Sequence, residues 1–247
     1  MKKLFITILL SVPVIIYAQD DSYTMLETVQ LTPNGEDNDK LEAAMKAHNA
    51  AFHSSGPHAA TVWSISSGPN SGTLVWVMGP LTFADLDTRP AGDDHDADWA
   101  KVMEHIEDMG TVEYWKRDDE LSNIVGDPAP SPILHMRIWK IRPGNGFLVG
   151  GHLKQASATV KAMEGENSWA VWDNQFHQGS RGRHIATVVG LNNWAELDDF
   201  GEGDFSETFK KVHGEDAWIP FVRSRALAYE DWYDEIWTLE AEMSSVQ

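Results

Sequence analysis

Residues 61–87 read Thr61-Val62-Trp63-Ser64-Ile65, a loop of Ser, Gly, Pro and Asn, Thr73-Leu74-Val75-Trp76-Val77-Met78-Gly79, and Thr82-Phe83-Ala84-Asp85-Leu86-Asp87. Residues 170–198 follow the same order: Ala170-Val171-Trp172, a loop of Gly, Ser and Arg, Ile185-Ala186-Thr187-Val188-Val189-Gly190, and Asn193-Trp194-Ala195-Glu196-Leu197-Asp198. Each copy is a strand with Trp, a turn, an apolar strand ending in Gly, and a capped aromatic helix start. The offset is 109 at Trp63/Trp172, 111 at Phe83/Trp194 and 117 at Trp115/Trp232, so the insertions fall in loops, as duplication requires.

Outward from these stretches each half fills in alike. In the first, Tyr23 to Leu31 reads as a strand closed by Thr32-Pro33-Asn34-Gly35. A helix capped by Asp39 follows, with Leu41, Met45, His48 and Phe52 on one face. After the paired strands comes an acidic loop, Gly92 to Asp98, then a helix Trp99 to Met109 and a last strand Val112 to Leu121. In the second half Ile133 to Ile141 is a strand. Phe147 to Met163 is a helix, with Val149, Leu153, Ala156, Val160 and Met163 on one face. A helical region Phe205 to Ala228 is broken by Gly214 and Pro220, and Trp232 to Leu239 ends the series. Between the halves, Ile124 to Pro132 carries three prolines and reads as a stiff extended linker.

The domain reading is therefore a signal segment at 1–19, a first unit at 20–123, a linker at 124–132 and a second unit at 133–247. Lys2 and Lys3 form a basic n-region, Leu4 to Ile16 an apolar run, and Ala18 offers a small residue for cleavage before Gln19. That run is shorter than the ~20 residues that span a bilayer. A periplasmic or secreted location is expected, with no membrane segment once the signal is removed. The chain has no Cys, so no disulfide framework or thiol nucleophile is available. The net charge of −19, deepened by loss of the two lysines, excludes nucleic acid as a partner.

Each half has the order β-α-β-β-α-β, an antiparallel sheet with helices on one face. Strands apolar on both sides, such as Val62, Trp63, Leu74, Val75, Trp76 and Val77, leave the second face to be buried by the other half. On this element order and duplication the chain resembles the dimeric α+β barrel superfamily, whose members include antibiotic-biosynthesis monooxygenase-like proteins. The resemblance implies an α+β fold of two tandem ferredoxin-like repeats whose sheets form an intramolecular barrel, a pseudo-dimer within one chain that is itself a monomer or homodimer. It also implies a small-molecule site with cofactor-independent oxygenase or isomerase chemistry on an apolar or aromatic ligand.

The candidate catalytic residues are His48, on the apolar stripe of the first helix, and His135 and Arg137, on one face of the strand that opens the second half. Under a pseudo-twofold Glu27 falls opposite Arg137, and the two are expected to pair or to hold a polar ligand together with Trp139. The loop Phe176 to His184 is basic in an acidic chain. Its His177, Arg181, Arg183 and His184 suit an anionic ligand, whereas the counterpart loop Ser66 to Gly72 is neutral. That asymmetry marks the second half as the functional one. It also supports an alternative reading, a non-enzymatic secreted scaffold that binds an anionic partner through 177–184. No metal and no cofactor are expected. His48, His53 and His58 are five residues apart rather than four, and Asp94-x-Asp96-x-Asp98 lacks the Gly and Glu of a calcium loop.

Overall fold

The computed structural model describes residues 23–126, 131–165, 167–198 and 205–245. The expected signal segment, and residues 127–130 of the expected linker, lie outside them.

The described residues form eight strands and five α-helices. The first half contains β1 (Met25–Pro33), α1 (Asn38–Phe52), β2 (Ala60–Ser67), β3 (Leu74–Leu81), α2 (Asp93–Met103) and β4 (Ile106–Arg117). The second contains β5 (Ile133–Ile141), α3 (Gly146–Ala162), β6 (Ala170–Asn174), β7 (His184–Leu191), α4 (Phe205–His213), α5 (Trp218–Ala228) and β8 (Tyr229–Leu239). All strand pairs are antiparallel, in the closed order β1-β3-β2-β8-β5-β7-β6-β4.

Two seams join the halves. Along one, β2 meets β8, with Trp63 opposite Leu239 and Ile65 opposite Trp237. Along the other, β4 meets β6, with Trp115 opposite Asn174. Closure leaves no sheet edge to template association. The barrel interior is filled from both halves: Trp63, Ile65, Val75 and Val77 form one cluster, and Trp115, Met136, Ile138 and Ala186 another, with Leu134 and Trp237 touching both. The outward face of the first half packs Met25, Val29, Val62, Trp76 and Met78 against Leu41 and Met45 of α1 and Val102 of α2. In the second half, Trp139, Val171, Ile185 and Tyr229 pack on Val149 and Leu153 of α3. There Phe209 of α4 and Phe221 of α5 add a further aromatic layer over Ala156.

Three boundaries differ from the sequence expectation. The cap of α1 is Asp37, whose carboxylate accepts from Lys40 N, rather than Asp39, which lies inside the first turn. Pro220 does not break the last helix; it sits in the first turn of α5, where its missing N–H costs nothing. The largest shift is at α2. The helix begins six residues early, at Asp93, and the stretch expected to be an acidic loop is its first turns. Gly92, at φ 103°, turns the chain into the helix where a side chain would be strained. Asp93, Asp94 and Asp96 then sit where the positive end of the helix dipole favours them. Consequently Ile106 and Met109 belong to β4, and His95 and Asp98 are helical.

Candidate functional site

The α2 shift matters because it carries His95 and Asp98 to His48. His48 lies on the buried face of α1. His53 is the residue that caps α1, its backbone out of the helical region at φ −130°, ψ 33°, and this returns its ring toward His48 although the spacing is five residues. The three imidazoles form a near-equilateral triangle, with ring centroids 5.1 Å apart for His48–His53, 5.0 Å for His48–His95 and 5.6 Å for His53–His95. One ring nitrogen from each lies within 4.8 Å of the other two. Phe52, Trp76 and Trp99 wall the cluster, with centroids 5.3 Å (Phe52) and 5.0 Å (Trp99) from His48 and 5.0 Å (Trp76) from His53. Trp76 is itself pinned, its Nε1–H donating to Asn49 Oδ1 at 2.9 Å.

Hydrogen bonding sets the tautomers. His48 Nδ1 is 3.2 Å from Asp98 Oδ2, His53 Nδ1 is 3.0 Å from the His58 carbonyl, and His95 Nδ1 is 3.2 Å from Asp96 Oδ1. All three partners only accept, so each Nδ1 carries the proton and each Nε2 presents its lone pair. His48 Nε2 is buried and has no hydrogen-bond partner. A polar atom so placed is costly unless it has work to do. His58 supports the arrangement from behind: its Nε2–H donates to the Asp85 carbonyl at 2.8 Å. Burial lowers the pKa of His53 to about 4 and that of His48 in the same direction, so both rings are neutral near pH 7. Asp98 is held ionised, chiefly by the hydrogen bond from Lys101 at 2.7 Å. His48 and His53 are buried, while His95 is 19% exposed and forms the solvent side of the cluster.

The remaining candidate residues are not brought to this cluster. Glu27 and Arg137 take different partners, so the expected pair does not form. Glu27 is buried beside Arg89 Nη1 at 3.5 Å, and burial raises its pKa against the pull of that guanidinium. Arg137 makes a bidentate bond to Asp234, at 2.6 and 2.9 Å, and lies over the Trp139 ring. The reason is topological: β1 lies between β3 and β4, and β5 between β7 and β8, so the two strands are not neighbours. His135 also lies 3.4 Å from Asp234, and burial lowers its pKa. Trp139 donates to Thr187 Oγ1 and belongs to the core.

The basic loop is largely committed to internal carboxylates. Arg181 bonds buried Glu113 at 2.7 Å, Arg183 bonds both oxygens of Asp173 at 2.8 Å, and buried His184 reaches Glu113 at 3.2 Å and Asn174 at 3.3 Å. His177 and Arg181 are exposed, Arg183 is half-buried and His184 is buried. The two guanidinium groups are thus paired with carboxylates of the barrel strands.

No protein-family model and no curated protein sequence matches the chain. Solved structures share its fold. An anthrone oxidase-like protein aligns over 89% of this chain and 92% of its own, at 16% identity and TM-score 0.57. A protein assigned as a monooxygenase from Lactobacillus acidophilus NCFM aligns over 88% and 94%, at 9% identity and TM-score 0.50. A chlorite dismutase variant from Candidatus Nitrospira defluvii aligns over 90% and 94%, at 10% identity and TM-score 0.50. The chain thus has the dimeric α+β barrel fold, with the barrel closed within one polypeptide. No helix of the described residues is long and apolar enough to cross a membrane.

Proposed function

We propose that this protein is an extracytoplasmic enzyme of the oxygenase type that acts on a small aromatic molecule at the imidazole cluster of its first half. The observation that carries the reading is the buried, partnerless Nε2 lone pair of His48, aimed by Asp98 and walled by Phe52 and Trp99. Such a lone pair accepts a proton or ligates, and an aromatic wall selects a flat apolar substrate. Structural neighbours described as a monooxygenase and as anthrone oxidase-like supply the reaction class, oxidation by O2, by analogy of fold alone.

Two finer statements belong to the same reading. The halves are fused ferredoxin-like units, which the matching strand orders β4-β1-β3-β2 and β8-β5-β7-β6 support. Export is supported by the basic and apolar N-terminal run. N-terminal sequencing of the native protein tests the second, with a start at Gln19 expected.

The test of function is O2 uptake over a panel of electron-rich phenols and polycyclic quinols, with product identified by mass. His48→Gln is expected to lower turnover on an accepted substrate by about 100-fold or more. Turnover equal to wild type in that variant would remove the cluster from the chemistry.

A further inference from the structure

We propose that His48, His53 and His95 form a three-imidazole site for a single first-row divalent metal ion. The inference rests on the reading that this cluster is the working site, but it concerns occupancy rather than turnover.

Four features of the cluster agree. Its three donor nitrogens lie within 4.8 Å of one another. A tetrahedral ion with Zn–N bonds of about 2.1 Å holds its ligand atoms roughly 3.4 Å apart, so closing on an ion takes about an ångström of imidazole rotation. Each Nδ1 is already bonded to an oxygen acceptor, the Asp98 carboxylate, the His58 carbonyl and the Asp96 carboxylate. This is the outer arrangement that fixes a metal-binding histidine in the right tautomer. The Nε2 of His48 is buried with no other partner, so a ligand is the one thing that would satisfy it. Finally, the donor set is nitrogen only. Imidazole without sulfur or carboxylate suits Zn2+, Fe2+, Cu2+ or Ni2+ and not Ca2+ or Mg2+.

Three protein ligands leave a fourth position, the pattern of a catalytic rather than a structural ion. That position adjoins Trp99 and Phe52, where an aromatic ligand would lie, and the partial exposure of His95 gives the ion its route in. Asp98 is a positioning residue here. It is bonded to Lys101 and to His48 Nδ1 and aims the ring without touching the ion.

The experiment uses the purified mature protein, stripped with chelator and titrated with Zn2+ and with Co2+. The readouts are calorimetry, elemental analysis after gel filtration and, for Co2+, the visible d–d spectrum. Wild type is expected to bind one ion per chain. Asp98→Asn is expected to weaken binding by roughly 10–100-fold with the stoichiometry kept, and His95→Ala, at the exposed edge where folding is least at risk, by more than that. His177→Ala, on the exposed loop, is expected to bind as wild type. A wild-type chain that takes up no ion overturns the proposal. So does a His95→Ala variant, shown folded by circular dichroism, that binds as wild type. A metal-loaded protein inactive across the O2 panel would leave the metal site standing and remove the oxygenase reading.

Discussion

The two halves share a strand order and differ in what they place between sheet and helices. In the first, two helices cover the sheet and three imidazoles meet beneath them. In the second, α4 and α5 add a layer, and the space is filled with Phe209, Phe221, Trp218 and Phe205, against which His152 and His213 pack. The His152 ring stacks on Phe221 at 4.4 Å with planes 8° apart, and its Nδ1 meets Ser224 Oγ. A histidine with a stacking partner and a hydroxyl has its needs met inside the fold. The first-half cluster differs: its three imidazoles offer ring nitrogens within 4.8 Å of one another, and His48 Nε2 is buried without a partner. Charge asymmetry pointed to the second half, whereas the buried imidazole nitrogen without a partner, His48 Nε2, lies in the first; the second half leaves Tyr229 Oη and Arg183 Nε without one.

The strongest way to break this comparison is to empty the second half. Phe209 is fully buried, and Phe209→Ala is expected to cost about 3–5 kcal/mol in chemical denaturation while leaving metal uptake in the first half unchanged at temperatures where the protein remains folded. Loss of metal binding in a folded Phe209→Ala protein would show that the halves are not independent.

A second contrast is pH. Burial lowers the pKa of His152 from 6.5 to about 4, so the unfolded chain binds the proton more readily. Stability from this group is therefore complete above pH 6.5 and lost as the pH falls toward 4, by about 3 kcal/mol at the end of that range. His152→Gln should remove this component. An unchanged slope between pH 7 and 4.5 in denaturation midpoints would refute the assignment.

Smaller effects sharpen the picture. Asn49 joins α1 to Trp76 and, through Nδ2, to the Met243 carbonyl at 2.6 Å. Asn49→Ala leaves buried groups unpaired and should cost about 1–3 kcal/mol. It should also loosen Trp76 beside His53, visible as a shift in tryptophan emission. Least of all, Arg183→Gln breaks a half-exposed pair with Asp173 and is expected to change stability by under about 1 kcal/mol. A larger loss there would mean that the basic loop contributes more to the fold than its exposure indicates.

Much of the fold is legible from residues alone. Alternating strands carry their own period, and β5 runs from Ile133 to Ile141 as expected. The apolar faces Leu41/Met45/His48 and Val149/Leu153/Ala156 are the buried faces of α1 and α3. Asn193 caps its short helix as read, accepting from Ala195 N. The start of α2 is not legible, because five polar or acidic residues and one alanine after a glycine look the same as loop and as dipole-stabilised helix N-terminus. That ambiguity hid His95. The one available hint was that acids at a helix start are favoured, which would have moved the boundary back and placed His95 and Asp98 on successive turns of one helix.

What this sequence determined by itself is the absence of thiols, the acidic charge and the local structure: strand and helix periods and most turns, each encoded within a dozen residues. What only the tertiary structure decided is convergence. His48 and His53 come from one helix and its cap, and His95 arrives from another element more than forty residues later. The fate of Arg137, Arg181 and Arg183 likewise depended on which strands became neighbours when the barrel closed. Spacing along a chain reports a period, whereas a site made of side chains from separate elements is fixed by packing, and packing is a property of the closed barrel.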